Sequence, residues 1–278
     1  MKRDRSTGDG LNLLLALAEP DDAQRARERL GLQQETSVGI PQLWTAVRLV
    51  TGAAVPASVL LWMLQADRPE INEIVYRAGV SASVQRDILR GVPFGAGAEG
   101  PIPVPLSLRG LADPEGLAAP GPHGVIGGLR LVTSMRRGRS AAAAVTRDDW
   151  AEVAAADLEQ PLPGFARWAL AIRVDCPVSL RERWSDHPSF AHRMRQAKVV
   201  DGPRTYVESW RPALDVLSVL AAGHWAFPAR MPEAEAVLRP LVRGSLAGNP
   251  ETWAVLAQLL PTFSGTAPEL IVTAGAIA

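Results

Sequence analysis

The chain has 278 residues, 47% hydrophobic and 21% charged, which excludes a disordered polymer and is enough for one large domain or two small ones with a sizeable core. Lys+Arg and Asp+Glu both number 29, so the formal net charge is +0, and no overall field draws the chain to nucleic acid or to an anionic membrane. Cys176 is the only cysteine, which excludes an intrachain disulfide and a Cys-rich zinc or iron–sulfur site and fits a reducing, cytoplasmic setting.

Residues 1–10 are polar and contain glycine, so they are expected to fray. The run LNLLLALA after Lys2, Arg3 and Arg5 has the outline of a signal peptide, but Asp4 and Asp9 interrupt its basic part and the apolar run is short. An ordinary first helix at 11–18 follows, with Leu11, Leu14, Leu15 and Ala18 on one face. Further helices are expected at 21–30, opened by Asp21 and Asp22 and closed by Gly31, and at 41–52. Leu49–Ala66 carries no charge, yet Gly52, Pro56, Ser58 and Gln65 interrupt it. A membrane span needs about 20 predominantly apolar residues, so this stretch reads as two buried helices meeting near Pro56.

The stretch Pro56–Gly95 forms one unit of three short helices. Pro56 opens the first, with Val59, Leu60, Trp62, Met63 and Ala66 at apolar helical spacing. Asp67 is expected to cap the second, where Ile71, Ile74, Val75 and Ala78 mark the inner face and Asn72, Glu73 and Arg77 the outer one, up to Gly79. Ser81 or Ser83 starts the third, with Val84, Ile88 and Leu89 inward and Gly91 and Pro93 as its stop.

Helix cannot persist through 91–124, which is dense in Gly and Pro. Ile102, Val104, Leu106 and Leu108 alternate, so a short extended segment is expected there, inside an inter-domain linker or a loop that meets a partner. Helical pattern resumes at Val125–Met135 and Arg147–Leu158, the latter favoured at its start by Asp148 and Asp149. Pro163–Val199 echoes the first unit: a proline opens a Trp-bearing helix, and Pro177 and Pro188 open the next two. Trp62 and Trp168 are therefore expected to be matching buried anchors. Arg204–Ala222 is helical with a break at Pro212, and helices near 232–247, 250–260 and 267–276 complete the chain.

Three short helices in about forty residues cannot bury their apolar faces alone and need stacked neighbours. In its rhythm of Asp–x–Pro, helix, small loop and Ile/Leu–Arg, ADRPEINEIVYRAGVSASVQRDILRG resembles degenerate helical repeat proteins of the HEAT and leucine-rich-repeat-variant kind. Some leucine-rich-repeat-variant proteins carry a cysteine cluster, and this chain lacks the cysteines for one. The resemblance implies an all-α fold, an irregular α-solenoid of short stacked helices with one long Gly/Pro-rich loop. The segments would be an N-terminal helical region at 11–94, the loop or linker at 95–124 and a C-terminal helical region at 125–278.

Chemical motifs are sparse. His187 and His192 are five residues apart with Pro188 between them, which is not the i, i+4 spacing of a helical zinc pair. No G-x-S-x-G elbow occurs, and GPHGVIGGLR lacks the lysine and spacing of a phosphate loop. No catalytic residue, cofactor or metal is therefore expected, and the leading reading is a non-catalytic protein–protein interaction or scaffold protein with an unidentified protein partner. The positive charge concentrates at 130–147 and 181–198, and Arg136, Arg137, Arg193 and Arg195 are the candidate partner-binding residues. Arg forks suit phosphate and carboxylate equally, so nucleic-acid binding is the second reading, and an enzyme with a site near the 91–124 loop is the third.

Overall fold

The structure, a computed structural model, describes residues 5–32, 55–78, 80–95, 100–112, 121–186 and 190–278. In chain order its helices are α1 (Arg5–Leu15), α2 (Pro20–Leu30), α3 (Ala57–Leu64), α4 (Pro69–Arg77), α5 (Ala82–Leu89) and α6 (Gly124–Arg130). There follow α7 (Met135–Ala143), α8 (Trp150–Glu159), α9 (Gly164–Ala171), α10 (Val178–Arg183) and α11 (Phe190–Gln196). The C-terminal set is α12 (Pro203–Ser209), α13 (Ala213–Ala221), α14 (Gly223–Ala226), α15 (Met231–Ser245), α16 (Pro250–Leu259) and α17 (Ala267–Ile277). Two short 3-10 turns, Leu106–Leu108 and Pro228–Arg230, complete the list, and no strand occurs among the described residues. The protein is all-α, as its sequence implied; the expected helix at 41–52, the stop at Gly79 and the residues His187 and Pro188 lie outside the described residues.

The chain divides into two compact units, Met1–Val55 with Asp201–Ala278, and Pro56–Val200. These boundaries fall at 55/56 and 200/201, whereas the Gly/Pro-rich stretch 95–124 lies inside the second unit.

In the first unit α1 packs on α13, α2 on α16, and α15 on α12 and α17. Helix α1 begins at Arg5, so residues 5–10 are helical rather than frayed. Thr7 is buried, and a Cβ on Gly10 would lie 3.1 Å from the Leu217 Cβ on α13. Absence of a side chain at Gly10 lets α1 approach closely enough to seat Leu11 and Leu14, which are fully buried. Gly31 closes α2 in the left-handed region at φ 62°, where only glycine sits without strain. The break at Pro212 is present, with Pro212 as the residue before α13. Thr266 and Glu269 form a reciprocal capping box at the start of α17, satisfying two otherwise orphaned donors.

In the second unit α4 packs against both α3 and α5, α6 against α7 and α8, and α7 against α9. Because α4 is covered on two sides, Asn72 is buried beside Ile71 and does not lie on the solvent face expected for it. Asp67 does not cap α4. Its carboxylate oxygens accept instead from the backbone N–H groups of Phe94 and Gly95, at 2.7 and 2.9 Å. That tie fastens the start of the Gly/Pro-rich stretch, and the Ile102 N–H adds a 2.8 Å bond to the Gly91 carbonyl. Ile102–Leu108 forms no strand: prolines at 101, 103 and 105 remove alternate donors, and only Leu108 is buried.

The helices α3 and α9 are both eight residues long and both follow a proline, Pro56 and Pro163. In that register Trp62 is the sixth residue of its helix and Trp168 the fifth of its own. One residue rotates a side chain by about 100°. Trp62 is accordingly 3% exposed, while Trp168 is only half-buried and is not the matching core anchor expected.

Helix α7 has no counterpart among the expected elements. Its sequence MRRGRSAAA buries only Gly138 and Ala142, so it carries no large apolar residue at helical spacing. Its start is set by Ser134, whose hydroxyl accepts from the Arg137 N–H. Gly138 is the contact point with α9: a Cβ there would lie 2.6 Å from the Phe165 carbonyl oxygen.

Two glycines in adjacent helices should therefore respond oppositely to alanine. Gly138→Ala should destabilise by about 1–3 kcal/mol through overpacking against α9. Gly128→Ala on α6, where an added Cβ meets nothing within 4 Å, should be neutral or stabilising by up to about 1 kcal/mol. Urea denaturation midpoints of the two variants check this.

Candidate functional site

Helix α9 buries Ala166, Ala169, Leu170 and Ala171, while Trp168 packs against the core only in part. Phe165 is 39% exposed. Its ring meets that of Trp168 edge to face, with centroids 5.8 Å apart. From α11 the Arg193 guanidinium lies over the Trp168 ring, 3.5 Å from its centroid, a cation–π stack that fixes both side chains. Helix α7 packs on α9 at Phe165 and Ala169, held close by Gly138.

The position of α9 depends on Asp157 of α8, whose side chain is 3% exposed. Its carboxylate accepts from the Leu162 N–H at 2.9 Å, Arg167 Nε at 3.1 Å and Trp184 Nε1 at 2.8 Å. The turn into α9, α9 itself and the end of α10 are thus joined to α8 through one charged group.

The four candidate arginines occupy α7 and α11. Arg136 and Arg195 are exposed and form no ion pair among the described residues. Arg137 is exposed, and its Nη1 donates to Thr133 Oγ1 at 3.3 Å. Arg193 is half-buried on Trp168. Other cations of the two Arg-rich segments serve the fold. Arg130 donates to the Ala156 carbonyl at 3.2 Å. Arg147 donates to the Pro93 carbonyl at 2.6 Å and lies over Phe94. Arg181 is 3% exposed and donates to the carbonyls of Ala171, Arg173 and Val174. Phe165 was missed in the sequence because an aromatic residue in a helix ordinarily signals core, and the stacking of Arg193 on Trp168 is invisible because they are far apart in the chain.

A cleft of about 570 Å³ lies between α6 and α7, bordered by Val125, Gly128 and Leu131 on one side and Arg137, Ser140 and Ala144 on the other. None of its described lining residues is acidic. Leu131 is 58% exposed.

A second set of charged groups lies around Arg173 and Asp87. Arg173 pairs with Asp175, Nε to Oδ1 at 2.9 Å, and donates to the carbonyls of Ala142 and Val145. Its guanidinium also faces the Trp150 ring at 5.2 Å. Asp87 is 5% exposed and pairs with Arg86 at 3.3 Å. Burial pushes the Asp87 carboxyl above its ordinary range and Asp175 adds to that, against the opposing charges of Arg86 and Arg147. Among the described residues no group of three His, Cys, Asp or Glu side chains converges to hold a metal ion, and no helix is long and apolar enough to cross a membrane. Cys176 is buried.

A carboxyl with a raised folded pKa binds its proton more tightly folded than unfolded. Its contribution to stability is full below the unfolded value and is lost as pH rises through the folded one. Wild type should therefore gain stability relative to Asp87→Asn as pH is lowered from about 7 to about 3, measured as the difference in unfolding free energy at each pH.

Compared with protein-family models, characterised proteins and solved structures, the chain matches none of them.

Proposed function

We propose that the protein is a non-catalytic interaction or scaffold protein, an irregular α-solenoid built on helical repeats, which holds an acidic protein partner on the face formed by α7, α9 and α11. The repeat reading is supported by the two proline-led sets α3–α5 and α9–α11, whose first helices have equal length. Short stacked helices of this kind present extended surfaces to partners. A cytoplasmic setting belongs to the same reading and is supported by Cys176 being the only cysteine of the sequence, so that no intrachain disulfide can form.

The observation that carries the function is the Phe165–Trp168–Arg193 stack, on helices whose neighbouring residues include the exposed Arg136 of α7 and Arg195 of α11. Trp and Arg dominate the energetics of protein interfaces because they desolvate large area and still offer directed polar contacts. An exposed Phe beside a Trp held rigid by a cation has little side-chain entropy left to lose on association. Exposed arginines on α7 and α11 that form no ion pair among the described residues favour a carboxylate-bearing partner. Nucleic acid is the weaker reading, since Arg130, Arg147 and Arg181 are consumed by backbone carbonyls and net charge is +0.

Affinity capture from the native cell with wild type, Trp168→Ala and the double variant Arg136→Glu/Arg195→Glu tests the proposal. Wild type should retain a discrete protein partner whose binding weakens with salt, and both variants should lose it by tenfold or more, roughly 1.4 kcal/mol. Recovery of nucleic acid instead, with a steep salt dependence, or of the same proteins with all three baits, would reject it.

A further inference from the structure

We infer that the cleft between α6 and α7 is the docking groove for an acidic segment with apolar side chains on that partner. This rests on the interaction reading above and adds the site and the chemistry of the segment.

The cleft has the volume range of specific ligand sites, which run from about 300 to 1,000 Å³, and it measures about 570 Å³. Its walls are mainly apolar, which disfavours a polyphosphate chain: burying phosphate charge against Val125 and Leu131 would go uncompensated. Leu131, 58% exposed, supplies apolar area that only an apolar side chain of the occupant would cover.

Charge sets the rest of the specificity. Arg137 stands on the α7 wall, and Arg136 and Arg139, also exposed, share its helix. Between Val125 and Arg147 the chain has no acidic residue, so nothing on these two helices neutralises them. Ser140 adds a hydroxyl one turn from Arg137 on the same wall. A carboxylate entering here meets a fork and a hydroxyl, while the residues beside it in the segment meet the apolar wall.

Fluorescence anisotropy with the full chain and a fluorescein-labelled peptide of alternating leucine and glutamate tests this, with the lysine-for-glutamate peptide as control. Wild type should bind the leucine–glutamate peptide and not the control. Gly128→Leu should weaken binding about tenfold or more by filling the cleft. It should keep the fold, because an added Cβ meets nothing within 4 Å, Gly128 lines the open cleft that would take the rest of the side chain, and leucine is a better helix former than glycine; a circular dichroism spectrum matching wild type checks this. Arg137→Glu should weaken binding similarly, and Arg139→Glu, outside the cleft lining, much less. The inference is overturned if wild type fails to bind the peptide, binds the lysine form equally, or is matched by Gly128→Leu. Capture of the cellular partner separates the two proposals: loss with Trp168→Ala but full retention with Gly128→Leu sinks the groove alone, and retention with both sinks the interaction face as well.

Discussion

One buried carboxylate, that of Asp157, holds together the part of the molecule that faces outward. It accepts hydrogen bonds from a backbone N–H, an arginine and a tryptophan belonging to the α8–α9 turn, α9 and the end of α10. Helices in this unit are six to ten residues long, below the roughly 12–15 at which an isolated helix begins to hold. Apolar burial drives them together but is indifferent to small rotations of a short cylinder. A charged acceptor with three directed donors is not, because misalignment leaves a buried charge without compensation. The exposed Phe165 and the half-buried Trp168 are placed by that restriction.

Arginine has a related task elsewhere in the unit. Arg173 donates to the carbonyls of Ala142 and Val145 at the end of α7, and Arg181 to those of Ala171, Arg173 and Val174 after α9. Helix C-termini leave carbonyls unpaired and carry partial negative charge. A guanidinium reaching in from another segment satisfies several at once, and its planar fork is better matched to that geometry than an ammonium. With short helices there are many such ends per residue. A large share of the arginine content is therefore consumed internally, and the exposed cations of the segments 130–147 and 181–198 are Arg136, Arg137, Arg139, Arg183, Arg195 and Lys198.

What the sequence revealed follows from the same physics. Prolines and glycines act locally, so the starts at Pro56, Pro69, Pro163 and Pro250, the stop at Gly31 and the break at Pro212 were legible. Helix α7 was not, because it packs through Gly138 and Ala142, and small residues give no apolar periodicity. Asp67 looked like a helix cap because its spacing to Pro69 suits one, but the backbone of Phe94 and Gly95 competes for its oxygens from 27 and 28 residues away. Of the four candidate arginines, exposure at 136, 137 and 195 agrees with a polar helix face, whereas the stacking of Arg193 on Trp168 depends on a long-range contact. Local rules fixed the elements; pairings across the chain decided which polar groups face outward.

Directed polar anchors on Asp157, rather than apolar contact alone, hold α8, α9 and α10 in place. Equilibrium urea unfolding of Asp157→Ala, followed by tryptophan fluorescence, measures this directly. Removal of the carboxylate strands the Trp184 and Leu162 donors and uncovers Arg167, so a loss of about 3–5 kcal/mol is expected. An unfolding midpoint and slope indistinguishable from wild type would show that packing alone sets the geometry, contradicting the account.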